Sequence, residues 1–343
     1  MTIPSWAQAA AGAAVTAMTL GDIFATILVP GQAERRLRVG AVVGAATRPF
    51  ARLSARWARG PGHRPANSFP ALVFLLVFAT WMLLLLGGYA LLFHAARAHF
   101  RPMLDWSDAV WVTGCSLLTL GVSEVDALGV ARWLVLAAGL SGFAVITATI
   151  SFILQIQTAL HQRESRVLTL GSLAGTPPSG THLLEAISEL NVSSELHDFF
   201  RIWRDWAAAV LHSHVSSPVL IFFHSVDSEG DWLTALEAVL DAATALMALT
   251  EHEARGAATL MHRTGSRTVA RLAGLLNVKA THASPLDGSA VGTLADRLSR
   301  AGYRVKPIDH ATVAAFNRLR ADYAGRIAGL AKMLGAERPK PLG

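Results

Sequence analysis

The sequence predicts an all-α membrane protein with three transmembrane helices, a re-entrant helix and extended strand between the second and third, and an α-helical carboxy-terminal domain. Three observations carry this. Of 343 residues, 52% are hydrophobic and 16% charged, where a soluble domain is about a quarter charged. Two uncharged apolar runs, Ala71–Leu92 and Trp133–Gln157, each reach the roughly 20 residues a helix needs to cross about 30 Å of hydrocarbon. The apolar residues concentrate before about residue 160, whereas most acidic residues follow it, so a membrane half precedes a soluble half.

The first element, Ala7–Val29, is Ala-rich and contains Asp22. A cleaved signal sequence would begin with a basic region. Met1 to Leu20 has no Lys or Arg, and the positive charge follows the apolar run, so a retained helix with its amino end outside is expected. An ionisable residue inside a span is a functional candidate by default, but Asp22 lies near the basic end and pairing with a loop arginine is the expected role. Arg35, Arg36, Arg38, Arg48, Arg52, Arg56, Arg59 and Arg64 crowd the next segment. These eight exceed the formal net charge of +6, so the basic balance reports topology rather than a nucleic-acid surface, and short arginine-rich loops stay in the cytoplasm. Loop 31–68 is therefore placed inside. Its Leu37, Val42, Val43, Phe50, Leu53 and Trp57 interleave with the arginines, which fits either an interfacial helix on anionic lipid or a solvated basic linker. Helix 2 (Ala71–Leu92) returns outward, helix 3 (Trp133–Gln157) re-enters and ends inside near His161–Arg166, and the remainder is cytoplasmic. The expected divisions are 1–30, 31–68, 69–160 and 161–343, in a multi-pass protein of the cell inner membrane.

The connection between helices 2 and 3 is too apolar for an exposed loop. Asp105 or Ser107 can cap a short helix running to about Leu117, followed by Thr119-Leu120-Gly121-Val122-Ser123 and the acidic Glu124. Non-helical backbone at membrane depth is tolerated only where it is buried in protein or lines water. A short helix whose carboxyl end faces such backbone directs its negative dipole end at any cation there.

With Trp111-Val112, three residues, Ser116-Leu117-Leu118 and then Thr119-Leu120-Gly121-Val122-Ser123-Glu124 in gapless order between two uncharged spans, the segment resembles the pore-loop potassium channels over residues 69–157. Their filter reads Thr-Val-Gly-Tyr-Gly-Asp after a pore helix. The extra first helix and helical tail also look like bacterial ion-channel proteins. The resemblance implies a passive channel, potassium as permeant ion rather than cofactor, carbonyl rings from Thr119, Leu120, Gly121, Val122 and Ser123, and a homotetramer, since one filter strand per chain cannot surround an ion. Ser123 stands where the family has its second filter Gly, which adopts positive φ; a side chain there costs on the order of 1 kcal/mol. Val122 replaces the Tyr that braces the filter on pore-helix aromatics. Cys115 sits where some members keep a carboxylate behind the filter. Two alternatives stay open: a weakly selective Na+/K+ channel, and a non-conducting membrane scaffold or sensor with a degenerate pore.

Around this segment, Glu124 and Asp126 are expected to form acidic rings at the outer mouth. Gly139 and Gly142 in helix 3 fit a gating bend or close packing against helix 2. Thr147, Ser151 and Gln155 share one face and suit a wet inner cavity or interhelical hydrogen bonds. The carboxy-terminal half reads as helices at Leu183–Leu190, Ser194–His212, Trp232–Ala254, Thr268–Leu276, Thr293–Ala301 and Ala311–Leu334. Phe199, Phe200, Trp203 and Trp206 read as a packing stripe. His212, His214, His224 and His252 lack H-E-x-x-H spacing, no G-x-G-x-x-G fingerprint follows a strand, and no nucleophile–base set appears, so neither a metal site, a nucleotide-binding Rossmann domain nor an enzyme is expected.

Overall fold

The computed structural model describes residues 4–27, 68–121, 125–223, 231–281 and 284–335. Helix α1 spans Ser5–Ile27, α2 Ser68–Ala95, α3 Trp106–Leu117 and α4 Val130–Ala174. They are followed by α5 (Gly180–Glu189), α6 (Leu196–Ser216), α7 (Trp232–Leu249), α8 (Arg255–Leu275), α9 (Gly288–Arg300), α10 (His310–Ala321) and α11 (Ala324–Leu334). The only sheet among the described residues is a two-stranded antiparallel pair, β1 (Phe100–Arg101) with β2 (Asp126–Ala127). The chain divides into two compact units between Ile156 and Gln157, inside α4. Four helices, α1, α2, α4 and α7, are long and apolar enough to cross a membrane, and the protein is an all-α membrane protein in this coarse sense.

In the first unit α1 packs on α2 through small residues. A Cβ at Gly12 would stand 2.6 Å from the Gly88 carbonyl oxygen, and one at Gly88 would stand 2.4 Å from Thr16 Oγ1, so backbone meets backbone as in small-residue membrane interfaces. On α2, Val77, Trp81, Leu85, Tyr89 and Phe93 recur every fourth residue and are buried, one stripe of a 3.6-residue helix. Asp22 accepts a hydrogen bond from Trp81 Nε1 at 2.9 Å; the loop arginines expected as its partners lie outside the described residues. Trp81→Phe should therefore strand a partly buried carboxylate and destabilise the unit by about 1–3 kcal/mol, while Asp22→Asn in the same background should recover part of the loss. Thermal unfolding in detergent would measure both. Tyr89 ties α2 to α4 through Ser141 Oγ at 2.7 Å and the Ala137 carbonyl at 3.1 Å.

The second unit is built around α7, every residue of which is buried. A helix apolar on all sides is either a membrane span or the centre of a core, and here α5, α6, α8, α10 and α11 pack against it. It carries two buried acids, Glu237 and Asp241. Asp241 accepts from the Tyr323 hydroxyl at 2.5 Å. Phe200, Trp203 and Trp206 enter this core with Phe199 against its edge.

Several boundaries differ from those expected. Helix α4 continues to Ala174 because Val167, Leu170 and Ala174 remain buried beyond the charged stretch that looked like its end. Most of α8 lies upstream of the expected Thr268–Leu276. The helix expected over Ala311–Leu334 is two, parted at Asp322–Tyr323, where the Tyr323 side chain is fully buried against Asp241 and Thr244.

Candidate functional site

The segment between α2 and α4 is closed at its base. Phe100 pairs with Ala127 and Arg101 with Asp126, the Leu128 amide donates to the His99 carbonyl at 2.8 Å, and Arg132 Nε donates to the Ala127 carbonyl at 3.0 Å. The two ends of the connection are thereby held together, and the residues between them form a self-contained excursion. Its first part is α3. Asp105 caps it, accepting from the Asp108 amide at 2.7 Å while the Asp108 carboxylate accepts from the Asp105 amide at 3.3 Å, a reciprocal capping box. At 12 residues α3 is about 18 Å long, too short to cross about 30 Å of hydrocarbon.

The carboxyl end of α3 closes in a Schellman motif. The Leu120 amide donates to the Cys115 carbonyl at 2.9 Å and the Thr119 amide to the Ser116 carbonyl at 3.1 Å, which places Thr119 in the left-handed position, φ +56°. Gly or Asn normally takes that place, and a β-branched side chain there is strained. Gly121 also has positive φ, +70°. Among the described residues no hydrogen bond reaches the carbonyl of Thr119, Leu120 or Gly121, and all three residues are exposed. The single chain thus presents unbonded carbonyls at the negative end of a helix dipole. Val122, Ser123 and Glu124 lie outside the described residues.

Behind the segment a cavity of about 550 Å³ opens between α3 and α4, lined by Cys115, Ser116, Thr119 and Gly121 on one side and by Gly139 and Phe143 on the other. Cys115 is buried and its thiol is free. Gly139 and Gly142 face the end of α3: a Cβ at Gly142 would stand 1.9 Å from the Leu117 carbonyl oxygen, and one at Gly139 would stand 3.4 Å from that of Ser116. Their close neighbour is therefore α3, where α2 was expected, and α4 is a single helix through both positions. Asp126 is exposed on β2 in register with Arg101, so a base stands opposite the acid expected to charge the mouth.

Thr147, Ser151 and Gln155 are exposed, and the Ser151 hydroxyl bonds to its own helix at the Thr147 carbonyl, 3.0 Å. They share a face of α4 with exposed Leu136, Leu140, Phe143, Ile150 and Leu154. On α3, Trp111 is 64% exposed, and its indole N–H has no partner among the described residues. The Arg101–Asp126 register and the contact of Gly142 with α3 leave no local signal in the sequence and were not expected from it.

Of the histidines singled out, His214 is buried against Arg163, His252 Nδ1 accepts from the Ala254 amide at 3.1 Å, His212 is exposed, and His224 lies outside the described residues. Among the described residues no three His, Cys, Asp or Glu side chains are grouped as metal ligands. No protein-family model, curated protein or solved structure matches the chain.

Proposed function

We propose that the chain is a passive cation channel of the cell inner membrane, assembled as a homotetramer and conducting potassium through carbonyl rings of Thr119, Leu120, Gly121, Val122 and Ser123. The observation that carries this reading is the run of unbonded carbonyls after α3, bearing positive φ at Thr119 and Gly121 but not at Leu120 between them. Backbone of alternating hand turns successive N–H groups to one side, and the planar peptide sends the carbonyls to the other. Unbonded carbonyls facing lipid would cost several kcal/mol each; four such strands around an ion satisfy them. The strain at Thr119 also fits a functional position.

Four copies would cover the exposed apolar faces of α3 and α4 and set Thr147, Ser151 and Gln155 around an inner cavity. In this reading the Gly142 contact seats α4 against the end of the pore helix. The second unit is cytoplasmic, and α4 joins it to the pore by chain continuity. Purified protein in mild detergent should have the mass of four chains; an active monomer or dimer would contradict the assembly.

Weak discrimination between K+ and Na+ is a second reading, favoured by Val122 and Ser123 in place of the family's Tyr and Gly. If those side chains loosen the outer filter, Ser123→Gly with Val122→Tyr should raise the K+ over Na+ permeability ratio about tenfold, equivalent to about 1.4 kcal/mol of differential binding. Each single change should do less, because the tyrosine needs the glycine's backbone conformation to reach Trp111. Reversal potentials in planar bilayers would measure this, and an unchanged ratio in a conducting double variant would show that these residues do not set selectivity.

A further inference from the structure

Five arginines of the second unit pair with carboxylates: Arg163 with Glu164, Arg201 with Asp198, Arg204 with Asp205, Arg297 with Glu185 and Arg304 with Glu251. Three arginines on α8 stand in a row without such a partner. Arg263, Arg267 and Arg271 recur every fourth residue on its exposed face, and among the described residues none of them forms an ion pair or hydrogen bond. All three line one groove of about 510 Å³ between α6 and α8, together with His212 and Thr264, over an apolar wall that includes Leu211 and Val215. No acidic residue lines it among the described residues. Like charges four apart on a helix repel, so the row costs the free helix stability.

The groove is a built feature rather than a gap between loose helices. Thr268 Oγ1 donates to the Ala207 carbonyl at 3.1 Å, joining α8 to α6. Gly265 lets α8 approach α7, where an added Cβ would meet Leu240 Cδ2 at 2.9 Å. Positions 263 and 271 are separated by a rise of about 12 Å, enough for more than one phosphate group. Guanidinium groups bind phosphate oxygens in bidentate fashion, Thr264 can add a hydroxyl donor, and the apolar wall can take a ring system, in a volume typical of small-molecule sites.

We propose that the α6–α8 groove binds an organic phosphate carrying two or more ionised phosphate groups and a planar ring, the chemistry of a nucleoside di- or triphosphate. This assignment is independent of whether the chain conducts.

Isothermal titration of the full chain in lipid-free detergent and magnesium-free buffer tests it, with ATP, ADP, adenosine and inorganic pyrophosphate as probes. ATP and ADP should bind saturably, adenosine at least tenfold more weakly than ATP, and ATP affinity should fall as salt rises. Replacing Arg263, Arg267 and Arg271 together by Gln should weaken ATP binding at least tenfold without lowering the thermal midpoint of the free protein, since no internal bond is removed. Arg267→Gln alone should weaken it at least threefold, so the test survives a poorly behaved triple variant. Absence of saturable binding by ATP and ADP, or equal affinity in the variants, would overturn the proposal. Loss only of flotation with phosphatidylglycerol vesicles, with no change in soluble-phosphate binding, would overturn it in favour of a lipid-facing stripe.

Discussion

Gly142→Ala is expected to unseat the carboxyl end of α3 and to abolish cation flux. The added Cβ would stand 1.9 Å from the Leu117 carbonyl oxygen and 2.6 Å from its carbon. Both are backbone atoms, so no rotamer change relieves the overlap, and α4 must move away from the segment that presents Thr119 to Gly121. Overpacking of this kind costs about 1–3 kcal/mol where side chains can give, and more where only backbone can yield. Gly139→Ala is the control. Its Cβ meets the Ser116 carbonyl at 3.4 Å, and the gain in helix propensity of roughly 0.5–1 kcal/mol offsets that tight contact. Thermal unfolding in detergent together with liposome flux separates the two. Equal tolerance of both substitutions would mean that the α3–α4 contact does not hold the segment.

Arg163→Ala should produce the largest loss of stability in the second unit, about 3–5 kcal/mol, because it breaks a buried charged network and leaves its partners unpaired. Arg163 is buried, donates to the Leu220 carbonyl at 3.1 Å and the Phe223 carbonyl at 2.7 Å, and bonds to Glu164. Its guanidinium carbon stands 5.4 Å from the centre of the Trp232 ring. A lysine has no planar fork to span these acceptors, so Arg163→Lys should recover only part of the loss. Urea unfolding of the full chain in detergent, followed by tryptophan fluorescence, would read both variants.

The same cluster predicts a pH dependence. Burial, and then the charge of Arg163, lower the pKa of His214 to about 3, so its imidazole is neutral and Nε2 accepts from Arg163, 3.3 Å away. The unfolded chain takes up that proton near pH 6.5 and the folded one does not. The stability linked to His214 is therefore fully present above about pH 6.5 and declines as pH falls, by up to about 1.4 kcal/mol per unit. His214→Gln should flatten this slope between pH 6.5 and 5.

The sequence displayed α3 clearly, since Asp105 is a capping residue and the apolar spacing ends at Leu117. Helices α2 and α4 were equally legible as helices, because uncharged apolar runs of that length have few alternatives. Helix α8 was largely hidden: its buried positions include Ala257, Ala258, Gly265 and Thr268, small or polar residues that leave little hydrophobic period, and its exposed face is rich in arginine. The turn at Asp322–Tyr323 contains no Gly or Pro; the long-range bond from Tyr323 to Asp241 marks it. Arg163 looked like the solvated end of a membrane helix, and only the partners brought by α6 and the 218–222 turn make it a core residue. In the candidate site, the residue types were visible but the seating of Gly142 on Leu117 required α3 and α4 to be placed in three dimensions.

Cation flux through the purified, full-length protein in sealed liposomes tests the central claim most directly. With K+ inside, Na+-free medium outside and a protonophore to carry the counter-current, potassium should leave protein-containing vesicles faster than protein-free ones, and Gly142→Ala protein reconstituted to the same density should abolish the difference. Equal K+ and Na+ flux in parallel gradients would support the weakly selective pore. Correctly inserted wild-type tetramers that pass neither ion above the protein-free rate would contradict the channel.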